Sequence, residues 1–160
     1  MTKRQSGYAD STITVNLDAI VANWRFLDSL SAPSTKTAAM VKANGYGLDS
    51  GAVATALAAA GCPLFFVASL GEAIELRQHF NKIGIDDIPI MVLHGAQIGQ
   101  EDALAANQLV PVLNDLEQIS RWRLFANKTG ITLPALLHFD TGMTRLGLDG
   151  DQANWLTQNR

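Results

Sequence analysis

The sequence predicts an α/β fold built on a parallel sheet. Five short runs are wholly apolar rather than alternating: Ala38 to Val41, Leu64 to Ala68, Ile88 to Leu93, Leu109 to Leu113, and Leu133 to Leu137. Unbroken apolar runs suit strands buried on both faces, as parallel strands are. The first four runs are each followed by a helical pattern, so strand and helix alternate at intervals of about 20 to 26 residues. Hydrophobic residues make up 48% and charged residues 17% of the 160, enough apolar material for a sizeable core and too much for disorder.

In chain order, residues 1–11 read as an N-terminal leader. Thr12 to Leu17 alternates, with Ile13, Val15 and Leu17 apolar, the pattern of a half-buried strand. Asp18 offers an N-cap to a helix carrying Ile20, Val21, Trp24 and Leu27 at helical spacing, which Pro33 and Ser34 end. After the first parallel strand, Ser50 to Ala60 is alanine-rich, with Gly61 placed as its left-handed stop. Ser69-Leu70-Gly71-Glu72 is a capping box opening a helix through about Phe80. Glu101 to Asn107 forms a short helix. Asn114 or Asp115 caps the next, which runs to Lys128 and stops at Gly130. Asp151 begins a last helical pattern, with Trp155 and Leu156 apolar.

Two architectures share this order. A doubly wound sheet of five strands is complete in about this length. A parallel (β/α) barrel of TIM type needs about 250 residues. It would here be incomplete, with about five βα units preceded by an N-terminal strand and helix. The helical pattern from Asp151 runs to Arg160 without a cap or a following element, which favours the incomplete barrel.

Lys and Arg number 12 against 15 Asp and Glu, a net charge of −3. That balance does not favour a nucleic-acid or anionic-membrane surface, either of which needs clustered basic residues. No apolar stretch approaches the roughly 20 residues of a membrane span, and the N-terminus lacks a signal-peptide core. Cys62 is the single cysteine, so there is no disulfide framework, and a core thiol in a reducing, cytoplasmic setting is expected.

Chemistry concentrates at two strand ends. The first parallel strand closes on Met40-Val41-Lys42-Ala43-Asn44-Gly45-Tyr46-Gly47. A lysine there lies at the carboxyl edge of the sheet, where both candidate folds carry their sites. Partial burial would disfavour its charged form and free the amine for Schiff-base chemistry; the competing reading is a strand-end lysine extending into water. Gly45 and Gly47 permit a tight turn that aims the Tyr46 phenol back over the strand ends, or they belong to an ordinary loop. The fifth strand closes on His138-Phe139-Asp140-Thr141-Gly142-Met143-Thr144-Arg145-Leu146-Gly147. Asp140 and Arg145 could pair to organise the turn, or Arg145 could bind a carboxylate or phenolate through its planar fork. His94-Gly95-Ala96-Gln97 is a weak candidate for an anion-binding turn. His79 is expected on a helix facing water, and His138 with Asp140 falls short of a metal site. No GxGxxG, P-loop or Gly-x-Ser-x-Gly pattern occurs.

These two segments together resemble the fold-type III, pyridoxal-phosphate-dependent alanine racemase family. The family's Val-Lys-Ala-Asn-Ala-Tyr-Gly signature reads Val41 to Gly47 here, with Gly45 in place of alanine. Its Asp-Thr-Gly-Met-x-Arg-Leu-Gly reads Asp140 to Gly147. Val15 to Ile20 and Val67 to Ala73 match as well, so the resemblance covers nearly the whole chain from about Thr12. It implies the N-terminal part, from residue 12 to 160, of a pyridoxal 5'-phosphate-binding (β/α)8 barrel, with the rest of the barrel and a β-domain absent. It also implies an isomerase interconverting L- and D-alanine for peptidoglycan, working as a cytoplasmic homodimer.

Carried over residue by residue, Lys42 would hold the cofactor and exchange the α-proton on one face. Tyr46 would contact the phosphate. Arg145 would meet the ring hydroxyl side and the substrate carboxylate, with backbone contacts near Met143. The resemblance places the second base on a tyrosine of the partner subunit's C-terminal domain, so a 160-residue chain alone would be inactive. His138 stands where many members carry a lysine, often carbamylated, that supports the arginine; His138, an ion or Asp140 would have to replace it. Leu48-Asp49 likewise departs from a frequent His-Gly. The competing reading is a non-catalytic half-barrel that binds pyridoxal phosphate without turnover, or a relic of one.

Overall fold

The computed structural model describes residues 12–159. The expected leader, residues 1–11, and Arg160 lie outside them. Five parallel strands form one sheet in the order β1-β2-β3-β4-β5: Ala39–Met40, Phe65–Val67, Ile90–Val92, Leu109–Leu113 and Leu136–Leu137. The helices are α1 (Leu17–Ser29), α2 (Lys42–Tyr46), α3 (Ser50–Ala59), α4 (Leu70–Lys82), α5 (Glu101–Ala106), α6 (Leu116–Thr129) and α7 (Gly150–Gln158).

The strand order settles one of the two architectures. A doubly wound sheet reverses its order at a switch point, putting helices on both faces. Here each strand pairs with the next in sequence, in parallel register throughout, from Ala39 with Phe65 to Leu113 with Leu137. The helices accordingly share one core. Phe65 and Val67, Ile90 and Val92, and Leu109 and Leu113 meet Val53, Leu57, Leu76, Phe80, Leu104 and Trp122 in a single cluster. The alternate strand residues Phe66, Met91, Leu93, Val110 and Val112 form a separate cluster on the other face. This is the arrangement of consecutive βα units wound in one sense. Among the described residues the sheet is not closed: β1 and β5 each have a single partner.

Most helix boundaries follow from local chemistry. Ser69 and Glu72 form the expected capping box, Asp115 accepts from the Gln118 amide, and Gly130 ends α6 with φ 67°. Such caps are each worth about 1 kcal/mol. In the core, Phe80 meets Phe65 edge to face, with ring centroids 5.5 Å apart. Cys62 is a buried core thiol, as expected, and burial pushes its pKa up.

Three expectations are corrected. The N-terminal strand over Thr12 to Leu17 does not form: residues 12–16 have no secondary structure, and Ile13 is 85% exposed. Alternation supplies a face but no hydrogen-bonding partner, and among the described residues no strand lies alongside. Leu17 instead opens α1, because the Asn16 side chain, rather than Asp18, accepts from the Ala19 amide. Leu17, Ile20, Val21 and Trp24 pack on the core while Leu27 stays exposed. His79 does not simply face water: its Nε2 lies 2.8 Å from Thr55 Oγ1, across the packing of α4 on α3. No described helix is long and apolar enough to cross a membrane.

Candidate active site

Beyond β1 the chain makes an unusual turn. Val41 continues the strand, its N–H donating to Phe66 O at 2.9 Å, and Lys42 follows at the carboxyl edge. Ala43, Asn44 and Gly45 then all adopt left-handed conformations, with φ of 52°, 53° and 64°, and Tyr46 follows at φ 56°. A left-handed residue with a Cβ costs about 1–2 kcal/mol, and such strain persists only where surroundings over-determine it. Here they do. Gly45 N–H donates to Val41 O and Gly47 N–H to Ala43 O. Asn44 Oδ1 accepts from the Ser50 amide at 3.0 Å. A Cβ on Gly45 would lie 3.0 Å from Ser50 N, so glycine eases the close approach of the turn to the start of α3.

The loop after β5 is closed differently. Asp140 Oδ1 accepts from the amides of Gly142, at 2.9 Å, and Thr144, at 3.0 Å. These bonds to Thr144 and Gly142 hold the Asp140 carboxyl below the usual carboxylate range. The loop then returns: Leu148 N–H donates to His138 O and Asp140 N–H to Leu148 O. Gly147 has φ 106°, and a Cβ on it would lie 2.8 Å from Asp140 N. The Asp140–Arg145 ion pair raised as one reading of this turn is therefore not what organises it. Arg145 Nη2 instead donates to Met143 Sδ at 3.5 Å.

His138 is tied inward. Its Nδ1 lies 2.8 Å from Asn114 Oδ1, while Asn114 Nδ2 donates to Leu93 O and Val112 O, both at 2.8 Å. Both amide hydrogens of Asn114 are committed to carbonyls, so its oxygen must accept and His138 Nδ1 must carry the proton. The ends of β3, β4 and β5 are thereby locked together. No hydrogen bond among the described residues joins His138 to Arg145.

Lys42 and Arg145, which follow the two edge strands β1 and β5, line one cleft of about 320 Å³ together with Ala68, Leu93, His94 and Leu146. An amine and a guanidinium over apolar walls suit a small anionic aldehyde or carboxylate ligand. Tyr46, 62% exposed, and Met143, 73% exposed, do not line this cleft. A slightly larger groove of about 350 Å³ between α6, β5 and α7 is apolar apart from Arg123 and Thr157 and offers no comparable chemistry.

Three residues do more in the structure than their local sequence suggests. His94 lines the cleft rather than forming a separate anion turn. Asn114, weighed only as a helix cap, joins three strand ends; a polar residue closing an apolar strand was the available signal. Glu72, read as half of a capping box, also accepts from Ala43 N–H at 2.9 Å, beside Lys42. Nothing local to Glu72 announces a partner so far away in the chain.

A family model for the alanine racemase N-terminal domain matches residues 15–159. An alanine racemase of Brucella ovis is 44% identical over 151 residues, spanning 94% of this chain and 37% of that protein. The crystal structure of an alanine racemase from Bartonella henselae with covalently bound pyridoxal phosphate superposes with a TM-score of 0.82. It is 36% identical and covers 91% of this chain and 39% of its own. A histidine racemase from Leuconostoc mesenteroides superposes with a TM-score of 0.74 at 26% identity, covering 89% of this chain and 37% of its own. The chain thus spans well under half the length of each of these relatives.

Proposed function

The chain belongs to the alanine racemase N-terminal domain family, and on that premise we propose that it is the lysine-bearing part of a pyridoxal-phosphate-dependent racemase. Its substrate is alanine, interconverted between the L and D forms. The Brucella relative, named an alanine racemase, is more alike at 44% identity than the histidine racemase at 26%. The described sheet is read as the first five units of an eight-unit barrel. The whole enzyme is read as a cytoplasmic homodimer supplying D-alanine for peptidoglycan.

One observation carries the proposal: Lys42 and Arg145, one from each motif, share a cleft at the carboxyl ends of the strands. That donor set fits pyridoxal phosphate, whose aldehyde needs a primary amine and whose ring oxygen and phosphate need cationic or hydrogen-bonding partners. When bound, the cofactor spreads into its ring the charge left as the substrate α-proton departs. Lys42 would hold it covalently through Nζ and serve as acceptor and donor of the α-proton on one face. The left-handed turn fixes the backbone from which that side chain extends. Arg145 would donate its fork to the ring hydroxyl side and to the substrate carboxylate, with backbone groups near Met143 beside it. Tyr46, one residue from the end of the turn, would hydrogen-bond near the phosphate. Ala68, Leu93 and Leu146 would exclude water from the apolar side of the cleft. Racemisation needs a second base on the opposite face; the reading assigns it to the partner subunit's C-terminal domain.

The test is covalent capture. The full chain, incubated with pyridoxal phosphate and reduced with borohydride, should carry a pyridoxyl group on the peptide containing Lys42. Lys42→Ala should abolish it. A folded protein with no adduct at Lys42 would overturn the proposal.

A further inference from the structure

The Glu72 carboxylate spans two strand ends. Its Oε2 accepts from the amides of Ala68, at 2.8 Å, and Ser69, at 3.4 Å, at the end of β2. Its Oε1 reaches the Ala43 amide at 2.9 Å, at the end of β1. The bonds to Ala68 and Ser69 are local to the start of α4. The bond to Ala43 is not, and a capping box does not require it.

The Ala43 N–H belongs to the same peptide plane as the Lys42 carbonyl. Holding that plane restricts ψ of Lys42, and so the direction in which its Cα–Cβ bond leaves the backbone. It also holds the first residue of a left-handed run whose members with a Cβ are intrinsically disfavoured. Hydrogen bonds to an ionised acceptor are roughly twice as strong as neutral ones, which suits a carboxylate here better than an amide. We propose that Glu72 is a positioning residue for Lys42: its carboxylate, bridging Ala43 and Ala68, aims the lysine into the cleft it shares with Arg145. This deepens and rests on the reading of Lys42 as the cofactor-bearing lysine.

Glu72→Gln separates the two roles of the side chain. A single amide oxygen cannot accept from both strand ends, while size and helix position are kept. Ser69→Ala is the control. It removes the other half of the capping box, the Glu72 N–H to Ser69 Oγ bond, and leaves the carboxylate on Ala43. In the full chain without cofactor, amide exchange at Ala43 should quicken about tenfold or more in Glu72→Gln and stay near wild type in Ser69→Ala. The pyridoxal phosphate concentration that half-labels Lys42 under borohydride should rise about tenfold in Glu72→Gln only. Glu72→Asp keeps the charge but is a methylene too short to bridge, so it should behave as Glu72→Gln does. It serves as the second variant if the first does not fold. Unchanged Ala43 exchange in the Glu72 variants, or an equal effect in Ser69→Ala, overturns the positioning role. Because the exchange measurement needs no cofactor, failure of the wild type to label at Lys42 is a separate result, which overturns the Lys42 reading on which the role depends.

Discussion

At the scale of single residues, the site is held by polar side chains that close strand ends. Asp140 binds its own loop through the Thr144 and Gly142 amides, and these bonds depress its pKa. A carboxyl whose folded-state pKa is lowered stabilises fully above its unfolded value and loses that effect as pH falls through the folded value. Protection of the Gly142 and Thr144 amides from exchange should therefore be level from neutrality down to the ordinary carboxylate range. It should then collapse at more acid pH. Asp140→Asn, which can still accept but does not ionise, should flatten that dependence; an identical acid collapse in the variant would contradict the assignment. Asp140, His138 and Arg145 were all visible as a polar cluster after an apolar strand. Their pairing was not visible: Asp140 turned to the amides of its own loop, as short polar side chains do, and His138 to the Asn114 side chain, a partner on another strand end.

At the scale of elements, α4 ties the sheet down at both of its ends. Its N-terminus carries Glu72. On its buried face Arg77, 4% exposed, donates to the carbonyls of Asp86, Ile88, Asn107 and Gln108. Burial pulls the guanidinium pKa below its ordinary value, and the Asp86 and Asp87 carboxylates partly restore it. Arg77 thus pins the loops that lead into β3 and β4, at the opposite end of the sheet from the cleft. Arg77→Met should cost about 3 kcal/mol, because buried carbonyls lose their donors. The urea midpoint checks this, and a loss below about 1 kcal/mol would refute it. A basic residue on an amphipathic helix reads from sequence as solvated, so this role was illegible there. The Ser69–Glu72 capping box and the Gly130 stop were legible, since they act within one turn. The strand over Thr12 to Leu17 was misread because pairing, unlike alternation, is not local.

At the scale of the whole molecule, the sheet formed by the described residues has two open edges. β1 and β5 each pair on one side only, and Met40, Leu136, Leu137 and Phe139 beside them are 37%, 39%, 44% and 47% exposed. Unpaired strands with apolar side chains template association. The 160-residue chain should therefore elute with a concentration-dependent apparent mass, and Leu137→Lys, which charges the β5 edge, should reduce that dependence. A concentration-independent monomer would count against it. By itself the sequence determined the kind and order of the βα units, the caps at Ser69, Asp115 and Gly130, and the two polar strand ends with Lys42 and Arg145. Periodicity, capping and motif chemistry are written over stretches of a few residues. Only the tertiary structure decided that the strands run in sequential order with the helices on one face, and that Lys42 and Arg145 meet in one cleft. It also decided that Glu72 reaches the peptide after Lys42, and that residues 12–16 form no strand. Each of these depends on which distant groups the fold brings together to satisfy hydrogen bonds and exclude water, and that is not encoded within any one segment.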